Sequence, residues 1–528
     1  MSAITTGRCA ASAGSPWDTG GCAPASTLLP IISRMTVTLD ESEVQRLETI
    51  AAHIIEEEPA LATTHTLAPG TRPGLASNRW LLIGDTSEIA LARHDEESSF
   101  EYRLSFLARA GDLVVFGRGA HASFEHYRAD DVGRGPVVGL HPRNFPGTLL
   151  PLADRCRLDN VAFARIVKET RRSGGLTIVP HIGLGSAWRL AAAVAAATGL
   201  DITVMSAPPQ LTRRVNDKLW FARLARTVLG ENAIPPTYAA HGLAALAQRM
   251  RALARNAGRV VVKVPDSSGA AGNVCLAAKE IADAHLQDIE DRISAGLHAV
   301  GWHETYPLLV GLWEAPTLGS PSVQLWIPAR DDGPPIIEGL FEQILEGITG
   351  LFVGSVPSEL PDHWQRRLVE EAMRLATVLQ HLGYFGRCSL DALLVGPSID
   401  SAALHWIECN GRWGGVSIPL TIANRLNRGP VNAQFVVVQR DVDHRPPRRF
   451  ADALRALDGL LFKPGAQSDG IIVLSPAEIE TGRGMLMMAC AQTIVAARAL
   501  ADRGVEILSG PQPTPDRRPI GRKIPLRR

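Results

Sequence analysis

From about Arg79 onward, short apolar runs alternate with helical patterns, and this alternation constrains the fold more than any other feature of the chain. Trp80-Leu-Leu-Ile-Gly84, Asp112-Leu-Val-Val-Phe116 and Leu176-Thr-Ile-Val-Pro180 are too uniformly apolar to keep a solvent face, so they read as strands buried on both sides. Helical candidates lie between them, which is the pattern of an α/β fold with a parallel sheet. The run Leu190–Leu200 is small and apolar but too short to cross a bilayer, and reads as a packed helix ended by Gly199. The third strand runs into Gly183-Leu-Gly185. The full GxGxxG is missing, and a plain strand-to-helix turn explains the two glycines.

The texture changes after Pro208-Pro209. Helical patterns over Asn216–Val228 and Leu243–Ala257 flank a break at Pro235-Pro236. Strand-like runs follow at Arg259–Val264, Pro307–Val310, Val323–Ile327, Leu390–Val395 and Leu404–Glu408. Upstream, residues 1–34 are rich in Ser, Thr, Ala, Gly and Pro without periodicity and are expected to be disordered, with Met35 a candidate start. Asp40 then caps an expected helix with Val44, Leu47, Ile50, Ala51, Ile54 and Ile55 on one face, stopped by Pro59. Pro513–Arg528 holds six Arg or Lys against one Asp and reads as a solvated, flexible basic tail.

Composition excludes some function classes. The 528 residues are 45% hydrophobic and 20% charged with a formal net charge of +0, ordinary for a soluble chain and without an electrostatic case for nucleic acid or an anionic membrane. The seven cysteines are scattered and never spaced as CxxC, so neither a disulfide framework nor a zinc site is suggested. No basic stretch leads into an apolar region at the amino terminus, which makes a cytoplasmic location the expectation.

Two segments carry chemistry. In Val261-Val-Lys263-Val-Pro-Asp-Ser267-Ser268-Gly269-Ala-Ala-Gly272-Asn273 a β-rich run ends in a lysine and a small-residue loop. Such a loop lets backbone N–H groups approach phosphate oxygens while the ammonium neutralises their charge. A glycine-containing hairpin with a surface lysine would explain it about as well. The second segment is more specific. Gly386-Arg-Cys-Ser-Leu-Asp391 is followed by Leu404-His-Trp-Ile-Glu408-Cys-Asn410-Gly-Arg412-Trp-Gly-Gly415. On a strand, Glu408, Asn410 and Arg412 share a face, and a neighbouring strand can set Asp391 against them. Two carboxylates and an amide oxygen suit Mg²⁺, which keeps positions open for triphosphate oxygens, and an arginine beside them can reach an anionic group.

The order of lysine, lysine–glycine loop, acid and E-x-N-x-R resembles the ATP-grasp superfamily over roughly Leu211–Arg412. Asn216-Asp-Lys218 stands where that pattern has its upstream lysine, and Ile234-Pro-Pro236 resembles its proline turn. The resemblance implies that Lys218 and Lys263 hold the triphosphate and that Ser267, Ser268, Gly269, Gly272 and Asn273 form its loop. It makes Asp391, Glu408 and Asn410 the metal ligands, and Arg412 with Lys263 the catalytic cations. The family's adenine hinge ends its strand directly in Glu, whereas this chain reads Leu309-Val-Gly-Leu-Trp-Glu314. Either Gly311 takes that position or Glu314 is displaced by a local insertion. Ser320–Trp326, Phe341-Glu-Gln343 and Phe352–Ser358 further resemble peptide ligases of pheganomycin type.

The resemblance therefore implies an α/β protein: a disordered segment (1–34), an N-terminal helix and linker (35–75), and a pre-ATP-grasp α/β domain (76–207). A two-lobed α+β ATP-grasp domain (208–440), a part completing or capping it (441–512) and a basic tail (513–528) would follow. The activity it implies is ATP-dependent carboxylate–amine (peptide) ligation through an acyl phosphate, with ATP and Mg²⁺, or Mn²⁺ in its place. The partners would be a small-molecule or peptide carboxylate and an amine, with no nucleic acid and no membrane. An ATP-grasp phosphotransferase and a catalytically silent nucleotide-binding partner protein are the alternatives. Cys388 and Cys409 lie an odd number of residues from Asp391 or Glu408 and are expected to face away from the metal, as buried apolar residues. His181 reads as a packed or capping residue, and Met485, Met487 and Met488 as core filler.

Overall fold

The computed structural model describes residues 4–5, 36–66, 68–91, 97–426, 434–441, 449–465 and 469–509. Most of the amino-terminal segment expected to be disordered, the candidate start Met35 and the basic tail lie outside these residues. The exception is Ile4–Thr5, which pairs with Thr36–Val37. No helix among the described residues is long and apolar enough to cross a membrane.

Helix α1 (Glu41–Glu57) is capped as its sequence requires, with Asp40 accepting from the Glu43 N–H at 2.9 Å. It buries Leu47, Ala51 and Ile54 in the same core as Leu368, Ala372 and Leu375, far along the chain. Next come six parallel strands: β1 (Thr71–Pro73), β2 (Arg79–Ile83), β3 (Leu113–Val115), β4 (Val138–Leu140), β5 (Leu176–Pro180) and β6 (Ile202–Val204). They are ordered β1-β6-β5-β2-β3-β4. Leu81, Ile83, Val115 and Ile178 fill the core on one face, and Trp80, Leu82, Val114 and Val179 the core on the other. That double burial is why the central strands β2, β3 and β5 are mostly apolar, while the edge strands β1 and β4 carry exposed positions. Helix α2 (Glu97–Ser105) lies between β2 and β3 in sequence, and α3 (Gly185–Thr198) between β5 and β6.

Gly183-Leu-Gly185 is indeed a strand-to-helix turn. A Cβ on Gly183 would meet the Ser206 side chain at 2.1 Å, so this glycine serves close packing. The first turn of α3 is taken by the Glu88 carboxylate, which accepts from the Ser186 N–H and hydroxyl.

A second, antiparallel sheet follows, ordered β9-β8-β10-β7, from β7 (Thr237–Ala240), β8 (Arg259–Lys263), β9 (Asn273–Ala277) and β10 (Leu308–Leu312). The third sheet has nine antiparallel strands: β11 (Thr317–Gly319), β12 (Pro321–Ile327), β13 (Ile336–Glu346), β14 (Leu351–Pro357), β15 (Gly386–Val395), β16 (Ala403–Asn410), β17 (Gln434–Asp441), β18 (Gly470–Val473) and β19 (Gly484–Ala491). Strand β15 is flanked by β12 on one side and by β16 on the other. The last three strands extend this sheet, and Met485, Met487 and Met488 are buried in a core shared with Trp80 and Val114 of the parallel sheet. Helix α4 (Lys218–Leu229) packs on β16.

Candidate active site

A cavity of about 550 Å³ lies between the three sheets. Its floor is set by strand register. Asp391 on β15 stands opposite Ser322 on β12 and opposite Glu408 on β16, while Ser389 stands opposite Gln324 and Asn410. One residue beyond that point the β15–β16 register slips: Asp391 pairs with Glu408, but Ala392 pairs with Trp406. Ile407 is the extra residue, and a bulge of this kind re-aims the side chains beside it. Leu404, Trp406 and Cys409 therefore all reach the buried core behind the sheet, and Ile407, Glu408 and Asn410 line the cavity. Cys388 also faces that core. The hydrogen bond with the neighbouring Cys388, and then burial, hold the Cys409 thiol well above its usual range, which disfavours the thiolate.

The two carboxylates sit in unequal surroundings. Ser322 Oγ donates to Asp391 Oδ1 at 2.6 Å, and Asn410 Nδ2 donates to Asp391 Oδ2 at 2.8 Å. Burial, then the nearby charge of Glu408, pushes the Asp391 carboxyl up to about 6. Burial also raises Glu408, but the charges of Lys218, Arg412 and Lys263 outweigh it and bring it below the usual range. Lys218 Nζ is 3.1 Å from Glu408 Oε2 and donates to the carbonyl and hydroxyl of Ser267 at 2.8 and 3.2 Å. It reaches them from the first turn of α4, where Asp217 caps the helix by accepting from the N–H groups of Leu219 and Trp220.

Lys263 ends β8 and lines the cavity, with its pKa lowered by burial and by the charge of Lys218. The loop after it is shaped by Gly269 and Ala270, both left-handed at φ 59° and 62°. A left-handed alanine is strained, as is common where a loop must aim its backbone at a ligand. Ser268 Oγ is buried without a hydrogen-bond partner among the described residues, and Ser268 lines the cavity. Gly269 and Asn273 line it too, whereas Ser267 and Gly272 do not. Those two act from behind the loop: Ser267 donates to the Val264 carbonyl, and a Cβ on Gly272 would come within 2.8 Å of Ser267. Asn273 donates to the Thr349 carbonyl at 3.2 Å, tying this loop to the β13–β14 hairpin.

Gly311 lies inside β10, packed on the Pro236 carbonyl, and Glu314 lies just past the strand end in the cavity wall. His405 Nδ1 holds Glu314 Oε2 at 2.6 Å. Arg412 lines the cavity beside Asn410, and Asn216 Oδ1 accepts from both Arg412 Nη1 and the Gly411 N–H. Asn216 itself donates to the Thr212 carbonyl. Ser322, Gln324 and Gln343, which the sequence offers only within the family resemblance, line the cavity, and Asn216 and His405, to which no motif gave a role, hold Arg412 and Glu314. His181 is packed as expected and also lines the cavity.

No cluster of three or more His, Cys, Asp or Glu side chains able to hold a metal occurs among the described residues. The donor set at this site is thus two carboxylates and one amide, hard oxygen donors that fit Mg²⁺ when substrate phosphates and water complete its shell. Asn410 points its amino group at Asp391 Oδ2 and Glu408 Oε1, 2.8 and 3.4 Å away, and a half-turn of the amide would present its oxygen instead. The unpartnered Ser268 hydroxyl fits a phosphate oxygen equally well.

No family model and no curated protein sequence matches the chain. Its structure is similar to that of biotin carboxylase from Campylobacter jejuni, at 12% identity and a TM-score of 0.49, covering 82% of this chain and 96% of that one. It is similar to N5-carboxyaminoimidazole synthase from Aspergillus clavatus in complex with ADP, at 11% identity and a TM-score of 0.49, covering 82% and 99%. The N5-carboxyaminoimidazole ribonucleotide synthetase from Thermus thermophilus is 14% identical with a TM-score of 0.47, over 80% and 96%. TM-scores below 0.5 leave the functional reading to the residues themselves.

Proposed function

We propose that the chain is an ATP-grasp enzyme that joins a carboxylate to an amine at the expense of ATP. The observation that supports this most is the register that sets Asp391 between Ser322 and Glu408, facing Lys218 and Lys263 across one cavity. In this reading residues 76–207 are the preceding α/β domain, 208–440 the nucleotide-clasping domain, and 441–512 the part that completes it. The five described cysteines are free thiols, which fits a reducing, cytoplasmic setting.

In the mechanism, Lys218, Lys263, Gly269, Asn273 and the Ser268 hydroxyl hold the triphosphate, with Ser267 and Gly272 shaping the loop. Glu314, held by His405, meets the nucleoside end. Asp391, Glu408 and Asn410 would hold Mg²⁺, which supplies charge neutralisation for the phosphates when bound. A carboxylate oxygen of the acid attacks the γ-phosphorus, the bond to the β-phosphate oxygen breaks, and ADP leaves. The amine nitrogen then adds to the acyl carbon of the resulting acyl phosphate. The carbon–oxygen bond to phosphate breaks, inorganic phosphate departs, and the nitrogen loses a proton. Arg412 and Lys263 counter the charge that gathers on the transferred group, so no activated side-chain nucleophile is needed. The resemblance of Ser320–Trp326 and Phe352–Ser358 to peptide ligases favours a peptide bond as the product.

The test is product mass spectrometry and ADP release with Mg-ATP, pooled carboxylic acids and pooled amines. ADP release that depends on both an acid and an amine is expected. A stable phosphorylated product would instead indicate a phosphotransferase. Mg-ATP binding without turnover by any pair would indicate a silent partner protein.

A further inference from the structure

The parallel sheet reverses its order between β2 and β5: the chain moves outward from β2 through β3 to β4, then returns to β5 and leaves through β6 on the other side. Open α/β sheets take ligands outside the carboxyl ends of their strands at such a point. Here that crevice opens into the cavity. His181 directly follows β5, Phe100 and Arg103 come from α2, and all three line the cavity with Arg412, Trp413 and Phe352.

His181 is 2% exposed, and its Nδ1 has no hydrogen-bond partner among the described residues. A buried polar atom left in this way is costly to the fold, and a ligand that pairs with it recovers that cost. Packing fixes the side chain: its ring lies 3.9 Å from that of Phe100, and the Trp413 N–H holds its carbonyl at 3.0 Å. Burial, and then the charges of Arg412 and Arg103, keep the imidazole well below its usual range, so it is neutral in a cationic setting. Arg103 donates to Ser99 Oγ at 2.7 Å, stacks over Phe100 at 4.4 Å and lies 4.0 Å from Glu478 Oε1, which holds it in place and offsets part of its charge from behind the wall. The carboxylates among the described lining residues are Glu314, Asp391 and Glu408. Glu314 is engaged by His405 and Glu408 by Lys218, while Asp391 belongs to the candidate metal site. None is left for a substrate ammonium, while Phe100, Phe352 and Trp413 offer an apolar surface.

We propose that this wall is the acid-substrate subsite and takes a carboxylic acid with an apolar or aromatic body and no free α-ammonium. Arg412 and the Nδ1–H of His181 hold its carboxylate beside the phosphoryl group. The proposal rests on the ligase reading, and two experiments separate the failure of one from the failure of the other. In the first, isothermal titration of the full chain, loaded with Mg²⁺ and a non-hydrolysable ATP analogue, compares N-acetyl-L-phenylalanine with L-phenylalanine. The N-acetyl compound is expected to bind tighter by about 10-fold or more, and His181→Phe to weaken it by about as much, with the affinity for the analogue unchanged. His181→Asn, which restores a donor, should recover part of the loss. Equal binding of the two probes, binding of neither, or an unaffected His181→Phe variant overturns the subsite. In the second, hydroxylamine replaces the amine, so that an acyl phosphate is trapped as a hydroxamate with release of phosphate. Binding of N-acetyl-L-phenylalanine without hydroxamate or ADP keeps the subsite and removes the ligase reading. Hydroxamate formed by His181→Phe at unchanged KM does the reverse.

Discussion

Replacing Asp391 with asparagine should make the ligand-free protein more stable while abolishing its response to Mg-ATP. Asp391 is only partly exposed to the cavity and faces Glu408, and both the burial and the like charge raise its carboxyl from 3.8 to about 6. Ionised Asp391 therefore destabilises the folded chain above pH 6. That penalty fades as pH falls from about 6 towards 3.8, where the group is protonated in the folded and unfolded chain alike. At 1.36 kcal/mol per pKa unit the full penalty is about 3 kcal/mol, and water in the open cavity screens it to about 1–2 kcal/mol. An amide keeps the shape and its oxygen can still accept from Ser322 Oγ, while a half-turn of the Asn410 amide lets that side chain accept from the new amino group, so little packing is lost. The assay is thermal unfolding of wild type and Asp391→Asn at pH 7.5 and at pH 4, with and without Mg-ATP. The variant should melt a few degrees higher at pH 7.5, the gap should close by pH 4, and only wild type should gain strongly from Mg-ATP. A variant that melts lower than wild type at pH 7.5 without Mg-ATP, or a gap indifferent to pH, would refute the reasoning.

Glu408→Gln removes a proposed metal-binding carboxylate and the partner of Lys218 together, so ADP formation should fall by about 100-fold or more; unchanged ADP formation in a coupled assay would sink the metal assignment. Lys218→Met strips three contacts from Ser267 and Glu408, and calorimetry should show Mg-ATP binding weakened by about 10- to 100-fold; wild-type affinity would remove Lys218 from the phosphate site. Gly84→Ala sets a Cβ 2.4 Å from the Phe100 carbonyl oxygen and 2.5 Å from the Glu101 nitrogen, backbone atoms that cannot swing aside. Helix α2 should shift with Phe100 and Arg103, lowering stability by about 1–3 kcal/mol and raising the KM for the acid, and a wild-type melting curve would contradict that account.

The parallel sheet was legible because a strand buried on both faces has no polar positions to hide it, as Trp80–Ile83 and Leu176–Pro180 illustrate. The polar alternation of Glu408 and Asn410 was legible for the opposite reason: charged groups on an otherwise buried strand require a cavity. The bulge at Ile407 was not, because it exists only in the pairing of two strands that are distant in sequence. Ser322 and Gln324 alternate with Val323 and Leu325 in a buried strand, a signal of the same kind as Glu408 and Asn410, and they were read only as part of a family pattern. His181 was hidden by its isolation. Its place at the carboxyl end of a strand becomes informative only once the strand order, and hence the reversal between β2 and β5, is known.

The charges on the cavity wall explain why the parts are arranged as they are. Four cations, Arg103, Lys218, Lys263 and Arg412, face three carboxylates, Glu314, Asp391 and Glu408, a balance of one positive charge among the described lining residues. Without nucleotide these groups neutralise one another locally, with Lys218 on Glu408 and the Asn410 amide between Glu408 and Asp391. A triphosphate with its cation is net negative, so its arrival is favoured by the wall as a whole and asks each pair only to change partner. In the proposed reading, Lys218 would turn from Glu408 to a phosphate oxygen, and Glu408 and Asp391 from Lys218 and Asn410 to the metal. Each group would then already be held, by Ser267, Ser322 or Asn410, near the place where its charge is needed, so that little reorganisation would remain for the reacting complex. That arrangement suits phosphoryl transfer, in which developing charge has to be countered, better than any chemistry that depends on a strongly basic side chain.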